Sequence, residues 1–307
     1  IRSGFLANII VRIDCLFFSR ETVAFSIDWC FYDYSIGISL TFNLTHGNYL
    51  SSLRLSGMYH YLNVSYDQPA IDRENSLNLF ERNGPVNSME YRLRFSRSRI
   101  TALQHIQPRF AQIFDVRYRS TFVTNRNKGD VFTASANLFF PGFFRTHSFN
   151  VSSAYQNEGI DETYQFRDNF VYPRGYASLP HDEINRFSFN YTFPLVYPDL
   201  AVAGPLAFLQ RIKINPFFDI AWVTTNARRF SDFPYLLTEG DISELSFSGS
   251  QRSYKSLGAE LTFDMRLLRL LDANLGVRYS YLMDVEKTFN PFRNEHQFDF
   301  IIISIGG

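Results

Sequence analysis

The sequence predicts an all-β protein, a transmembrane antiparallel outer-membrane β-barrel, and three observations predict it. Apolar and polar residues alternate with period two along most of the 307 residues, which is the period of a strand with two unlike faces. Many alternating segments run to roughly ten to fourteen residues, whereas strands in soluble sheets average about five or six and tilted strands crossing a bilayer need about nine to eleven. Aromatic residues make up 17% of the chain, with 33 Phe and 18 Tyr, which suits the aromatic girdles at the rims of such barrels.

The reading begins with segments at 5 to 15 and 20 to 30; in the second, Val23, Phe25, Ile27 and Trp29 oppose Ala24, Ser26, Asp28 and Cys30. Within a segment at 33 to 45, one face carries Tyr34, Ile36, Ile38, Leu40, Phe42 and Leu44, and the other Ser35, Gly37, Ser39, Thr41 and Asn43. Segments at 50 to 64 and 73 to 81 precede one at 87 to 99, where Met89, Tyr91, Leu93 and Phe95 oppose Glu90, Arg92, Arg94 and Ser96. Three more follow at 108 to 122, 129 to 141 and 145 to 156. After a long connection comes 183 to 194, with Phe187, Phe189, Tyr191 and Phe193 against Arg186, Ser188, Asn190 and Thr192. Then come 209 to 224 and 253 to 267, the latter setting Leu257, Ala259, Leu261, Phe263 and Met265 against Gly258, Glu260, Thr262, Asp264 and Arg266. The last two are 271 to 284 and 295 to 306. This makes about 14 strands, and no comparable segment keeps a helical period.

Connections alternate between tight ones, such as 141 to 145 and 268 to 272, and loose ones, 157 to 182 and 225 to 252. Outer-membrane barrels make short turns on the periplasmic side and long loops outside. The polar faces are Ser, Thr, Asn, Gly and Arg, with few lysines, which fits a water-filled lumen better than the Lys- and Glu-rich surface of a soluble sandwich. A sandwich or propeller is the competing fold; no repeat of constant period supports blades. Residues 1 to 307 read as a single barrel domain, with 157 to 182 as a long extracellular loop folded into the lumen.

Composition excludes other classes. Thirty basic and 30 acidic residues cancel to a net charge of zero, so no nucleic-acid partner is expected. The longest apolar stretch, Phe5 to Phe18, is interrupted by Arg12 and Asp14, which excludes a spanning helix. Cys15 and Cys30 form no disulfide framework and no metal motif. Ile1-Arg2-Ser3 is not the start of a signal peptide, so a mature or truncated chain is expected.

No GxSxG, P-loop, HExxH or GxGxxG motif occurs. His46, His60, His105, His147, His181 and His296 are scattered singly, and Glu260 and Asp264 share a strand face as any lumen wall would arrange them. The expectation is a protein without catalytic residues, metal or cofactor. The informative stretch is Tyr172-Pro173-Arg174-Gly175-Tyr176, followed by Phe193-Pro194 at the end of one strand and Phe217-Phe218-Asp219 on the next.

That ordered set resembles the carboxy-terminal barrel of the bacterial surface-antigen superfamily, which includes BamA, TamA and two-partner-secretion transporters. Its members carry Arg-Gly-Phe/Tyr at the tip of a loop folded into the barrel, then a strand ending in Phe-Pro, then a strand with Phe-x-Asp. The resemblance covers residues from about 145 onward, with five strands after the loop. It makes Arg174, Gly175 and Tyr176 the loop-lock motif, with Phe217 and Asp219 as its partners on the wall. Alternation gives an independent reason: Asp219 falls in the set of Arg211, Lys213 and Asn215, opposite Ile212, Ile214, Ile220 and Trp222, so it faces the lumen. A guanidinium from an inward loop can meet it there bidentately. Arg186, Asn190, Arg211, Lys213, Glu260 and Asp264 are the other lumen-facing polar residues.

The chain departs from the family in two places. Asn190 stands where an acidic residue is common, which leaves Arg174 without a carboxylate from that strand, and the terminal aromatic is missing after Ile305-Gly306-Gly307. With about 14 of an expected 16 strands and no periplasmic repeat domains, a chain partial at its amino terminus is expected.

The resemblance implies an outer-membrane protein of a Gram-negative bacterium that inserts or exports β-rich client proteins through a lateral seam, without covalent catalysis. Its partners would be outer-membrane lipid, unfolded outer-membrane or secreted clients, and accessory lipoproteins or periplasmic domains. The alternatives are a passive pore whose selectivity comes from Arg186, Arg211 and Lys213, and a membrane anchor for an upstream functional domain.

Overall fold

The computed structural model describes residues 5–22, 25–67, 84–100, 106–122, 128–158, 166, 169, 172–176, 182–201, 207–225, 250–268, 271–284 and 295–305. The strands are β1 (Phe5–Thr22), β2 (Phe25–Asn43), β3 (Tyr49–Asp67), β4 (Gly84–Arg99), β5 (Ala111–Thr121), β6 (Asp130–Pro141), β7 (Ser148–Glu158), β8 (Glu183–Val196), β9 (Leu200–Ala201), β10 (Ala207–Thr225), β11 (Ser250–Leu267), β12 (Leu271–Leu282) and β13 (His296–Ile305). They form one antiparallel sheet in which each strand pairs with the next, except that β8 pairs directly with β10 and the two-residue β9 lies beside β10. Among the described residues there is no helix, and β1 and β13 are the two ends of the ladder.

The all-β expectation holds, and the strand count is corrected at the amino-terminal end. The three segments read at 5 to 15, 20 to 30 and 33 to 45 are two long strands, paired from Phe5↔Phe42 to Thr22↔Phe25. The segment read at 20 to 30 therefore straddles a hairpin. No Gly, Pro, Asn or Asp occurs from Ser19 to Ile27, so the residues that normally punctuate a turn gave no signal. The segment read at 73 to 81 lies outside the described residues. Five strands, β1, β2, β3, β10 and β11, reach 18 or 19 residues, longer than expected. At about 3.3 Å per residue each spans roughly 60 Å, well beyond the hydrocarbon thickness of about 30 Å.

The connections sort by side. The segments joining β2 to β3, β4 to β5, β6 to β7, β8 to β10 and β11 to β12 lie at one rim and are short; the longest, 100–110, has fewer residues than most at the other rim. The opposite rim carries the long connections 68–83, 159–182, 226–249 and 283–295, together with the shorter 122–129 and the tight β1–β2 connection. The tight turns at 141 to 145 and 268 to 272 fall at the first rim and the two loosest connections at the second, as the sequence asymmetry predicts.

The two faces are chemically inverted relative to a soluble sheet. We call inner the face on which residues 172–176 pack. It buries Ser35, Ser39, Ser88, Thr133, Ser148, Gln156, Ser188, Asp219, Ser256 and Ser280. The outer face exposes Ile36, Ile38, Leu55, Leu93, Phe114, Phe132, Phe189, Trp222, Leu257 and Val277. Aromatic neighbours tile this outer surface: Phe95 with Phe114, Phe189 with Phe218, and Phe187 edge-on to Trp222 at 5.9 Å between centroids. Apolar side chains directed outward and polar ones directed inward are what a lipid-facing barrel wall requires.

Candidate functional site

The site begins with a turn. Tyr176 N donates to Pro173 O at 3.1 Å, and Gly175 at the third position has φ +85°, the positive angle a type II turn demands. There is also no room for a side chain, since a Cβ on Gly175 would stand 2.7 Å from Leu282 Cδ2 and 3.1 Å from Ser280 Cβ. The turn therefore sits flush against β12 and aims Arg174 along the inner wall.

Arg174 reaches three strands. Its Nε and Nη2 donate to Asp219 Oδ2 and Oδ1, both at 2.8 Å, and its backbone N donates to Asp219 Oδ2 at 3.0 Å. Nη2 also donates to Asn190 Oδ1 at 2.7 Å and to Ser188 Oγ at 3.0 Å, while Nη1 lies 3.2 Å from Glu260 Oε1. Its Cζ stands 3.6 Å above the centre of the Phe217 ring, in cation–π geometry. Asp219 is fully buried, accepts from Ser188 Oγ as well, and has Arg186 Nη2 at 3.7 Å. A charge so far from solvent is tolerable only because it is paired and its oxygens are hydrogen-bonded.

The structure thus brings together Arg174, Gly175, Phe217, Asp219, Asn190, Arg186 and Glu260. It also answers the question raised by Asn190. The second carboxylate for Arg174 comes from Glu260 on β11, and Asn190 accepts from Arg174 through its amide oxygen. Glu260 is itself a junction, taking hydrogen bonds from Arg278 Nε at 2.7 Å and Asn215 Nδ2 at 2.9 Å. Tyr176 completes the seat: its hydroxyl donates to Lys255 O at 2.8 Å, accepts from Asp284 N at 3.2 Å, and its ring meets Tyr254 edge-on. Tyr172, Ile184, Ala221, Val223 and Tyr254 form a small apolar cluster around it.

Arg211, Lys213 and Asp264 stand apart from this group. Asp264 Oδ2 accepts from Arg211 Nε at 2.8 Å and from Nη2 at 2.6 Å, and its Oδ1 lies 2.8 Å from Lys213 Nζ. Arg211 and Asp264 are register partners on β10 and β11, so the ladder itself sets them side by side.

A second anchor was not foreseen from the sequence. Asn169, earlier in the same loop, accepts from Arg117 Nη1 of β5, and its Nδ2 donates to Thr133 Oγ1 of β6 at 3.4 Å. Its backbone N donates to Gln156 Oε1 of β7 at 3.2 Å. Phe166, buried, lies under Arg119 with 4.6 Å from Cζ to ring centre. A lone Asn and a lone Phe in a polar loop give no sequence signal. The described parts of the loop are therefore tied to the wall at β5–β7 and again at β8–β12. The rest of the loop expected at 157 to 182 lies outside the described residues, as do His105 and His181. Among the described residues no group of three or more His, Cys, Asp or Glu stands together to hold a metal ion.

No protein-family model and no curated protein matches the sequence. The fold has a solved counterpart: BamA from Haemophilus ducreyi, in a crystal structure lacking POTRA domains 1–3, superposes with a TM-score of 0.55 at 12% identity over 97% of this chain. The fold is that of a BamA barrel. The chain spans 58% of the length of that BamA chain.

Proposed function

We propose that the chain is an outer-membrane assembly or translocation barrel that inserts or exports β-rich client proteins without covalent chemistry. The observation that carries this reading is the turn 172–176 locked to the inner wall by Arg174, Asp219 and Glu260, in a fold shared with BamA. The lock joins the loop to β8, β10 and β11, and Gly175 rests on β12, next to the last strand. In this reading the docked loop stiffens the end of the sheet, and the edge of β13 that has no partner strand among the described residues receives an incoming client strand. Such an edge is a template because backbone groups left unpaired in lipid are costly. The setting is the outer membrane of a Gram-negative bacterium, and the client is an unfolded outer-membrane or secreted protein.

A passive pore is the second reading, favoured by the polar inner wall with its many arginines. The two separate when the complete gene product is placed in liposomes and the folding of an unfolded outer-membrane client is followed beside single-channel conductance. Accelerated client folding supports the assembly barrel. Steady, large conductance with no effect on folding removes it and leaves the pore.

A further inference from the structure

Among the described residues, the inner wall of β3, β4 and β5 carries more guanidinium groups than carboxylates. Register sets Arg54 of β3 directly opposite Arg94 of β4, and Arg92 of β4 directly opposite Arg117 of β5. Like charges facing each other across a ladder repel, so two such pairs side by side need counter-charge. Among the described residues of these strands, the acids on this face are Asp115 and Glu90. Asp115 is occupied by Arg92, whose Nε donates to both its oxygens at 3.0 and 2.9 Å, and reaches Arg94 Nε only at 3.9 Å. Glu90 is shared between Arg117 at 3.6 Å and His60 at 3.7 Å. Arg119 adds a fifth guanidinium to the same face.

A cavity of about 170 Å³ opens here, bounded by Arg92, Arg94, Arg117, Asn137 and, from the loop, Asn169. Two of its cations have donors to spare. Arg117 Nε makes no hydrogen bond and has Glu90 Oε1 3.6 Å away. The Arg94 side chain is 44% exposed, and among the described residues its one contact with an acid is the 3.9 Å approach to Asp115. Water alone would solvate a single lumenal arginine. What distinguishes this wall is the convergence of unspent guanidinium donors on one polar cavity beside opposed like charges.

We propose that this cavity binds a small tetrahedral oxyanion, of the phosphate or sulfate type, through Arg94 and Arg117. Planar guanidiniums match pairs of such oxygens bidentately, and rings of arginine are how anion and phosphate pores are lined. The bound anion adds counter-charge beside the two Arg–Arg pairs. Since Asn169 forms part of the cavity wall, occupancy also ties the loop to the β5–β6 side. The site stands on the fold and not on the assembly reading.

The test is calorimetric titration of the full chain, in phosphate-free detergent at fixed ionic strength, with inorganic phosphate and with chloride. The expected result is saturable binding of phosphate but not chloride. It is weakened at least tenfold by Arg94→Gln or Arg117→Gln and unchanged by Arg266→Gln, whose side chain pairs with Asp272 beside the β11–β12 turn. Arg94→Lys, which keeps the charge and loses the fork, gives an intermediate weakening and serves if Arg117→Gln does not fold. No saturable phosphate binding, or an equal loss in all of these variants, overturns the proposal. Repeating the titration in bilayer discs with and without phosphatidic acid identifies the source: competition means a lipid-borne phosphate, and none means a dissolved anion.

Discussion

Removing the Arg174 side chain would leave the buried Asp219 with Arg186, at 3.7 Å, as its nearest cation. Breaking a buried pair from one side costs about 3–5 kcal/mol, and the Arg186 contact places Arg174→Ala near the lower figure, about 3 kcal/mol, read as a lowered urea midpoint in lipid vesicles. Glu260→Gln is expected to cost less than Asp219→Asn in the same assay, because Arg174 makes one contact to Glu260 at 3.2 Å and three hydrogen bonds to Asp219. Gly175→Ala combines a left-handed backbone angle with a Cβ at 2.7 Å from Leu282. It is expected to destabilise by about 1–3 kcal/mol, with partial recovery when Leu282→Ala opens the space; no recovery would mean that the backbone angle alone is responsible. At this scale the facing of Asp219 was readable, because alternation along β10 fixes which residues share its side. The role of Glu260 was not. Its reach to Arg174 depends on which strand lies beside β10 and in what register, and neither is encoded locally.

At the scale of the element, the strands were legible wherever alternation was bounded by turn residues or long loops, as for β6, β7, β8, β11 and β12. It failed at Thr22–Phe25, where the hairpin closes through residues typical of strand interiors. The second loop anchor stayed hidden for another reason: Asn169 acts through three strands whose inner residues Arg117, Thr133 and Gln156 are ordinary in any polar wall. The outward aromatic surface carries its own prediction. Trp222 stands on the outer face against Phe187, so in a Trp29→Phe background its fluorescence is expected to be strongly quenched by bromine-labelled lipid. An unquenched Trp222 would mean that this face does not meet lipid.

For the whole molecule, the inverted distribution of polarity and the asymmetry of the two rims were both present in the sequence, and together they constrain the architecture more than any single motif. The described parts of the loop lie against the inner wall at two places, on β5–β7 and on β8–β12; in the proposed barrel they would narrow the lumen. Releasing the second place by Arg174→Ala is expected to raise single-channel conductance at least twofold while the barrel stays folded; unchanged conductance would show that the loop does not limit the opening.

Whether the Arg174–Asp219 lock acts as one unit in client assembly is decided by a double-mutant cycle on client folding. With the full gene product in liposomes, Arg174→Ala and Asp219→Ala are each expected to slow client folding about tenfold, and the double variant to be no slower than the worse single one, since residues in one network do not add. Two independent, additive losses, or wild-type rates in both single variants, would contradict the account.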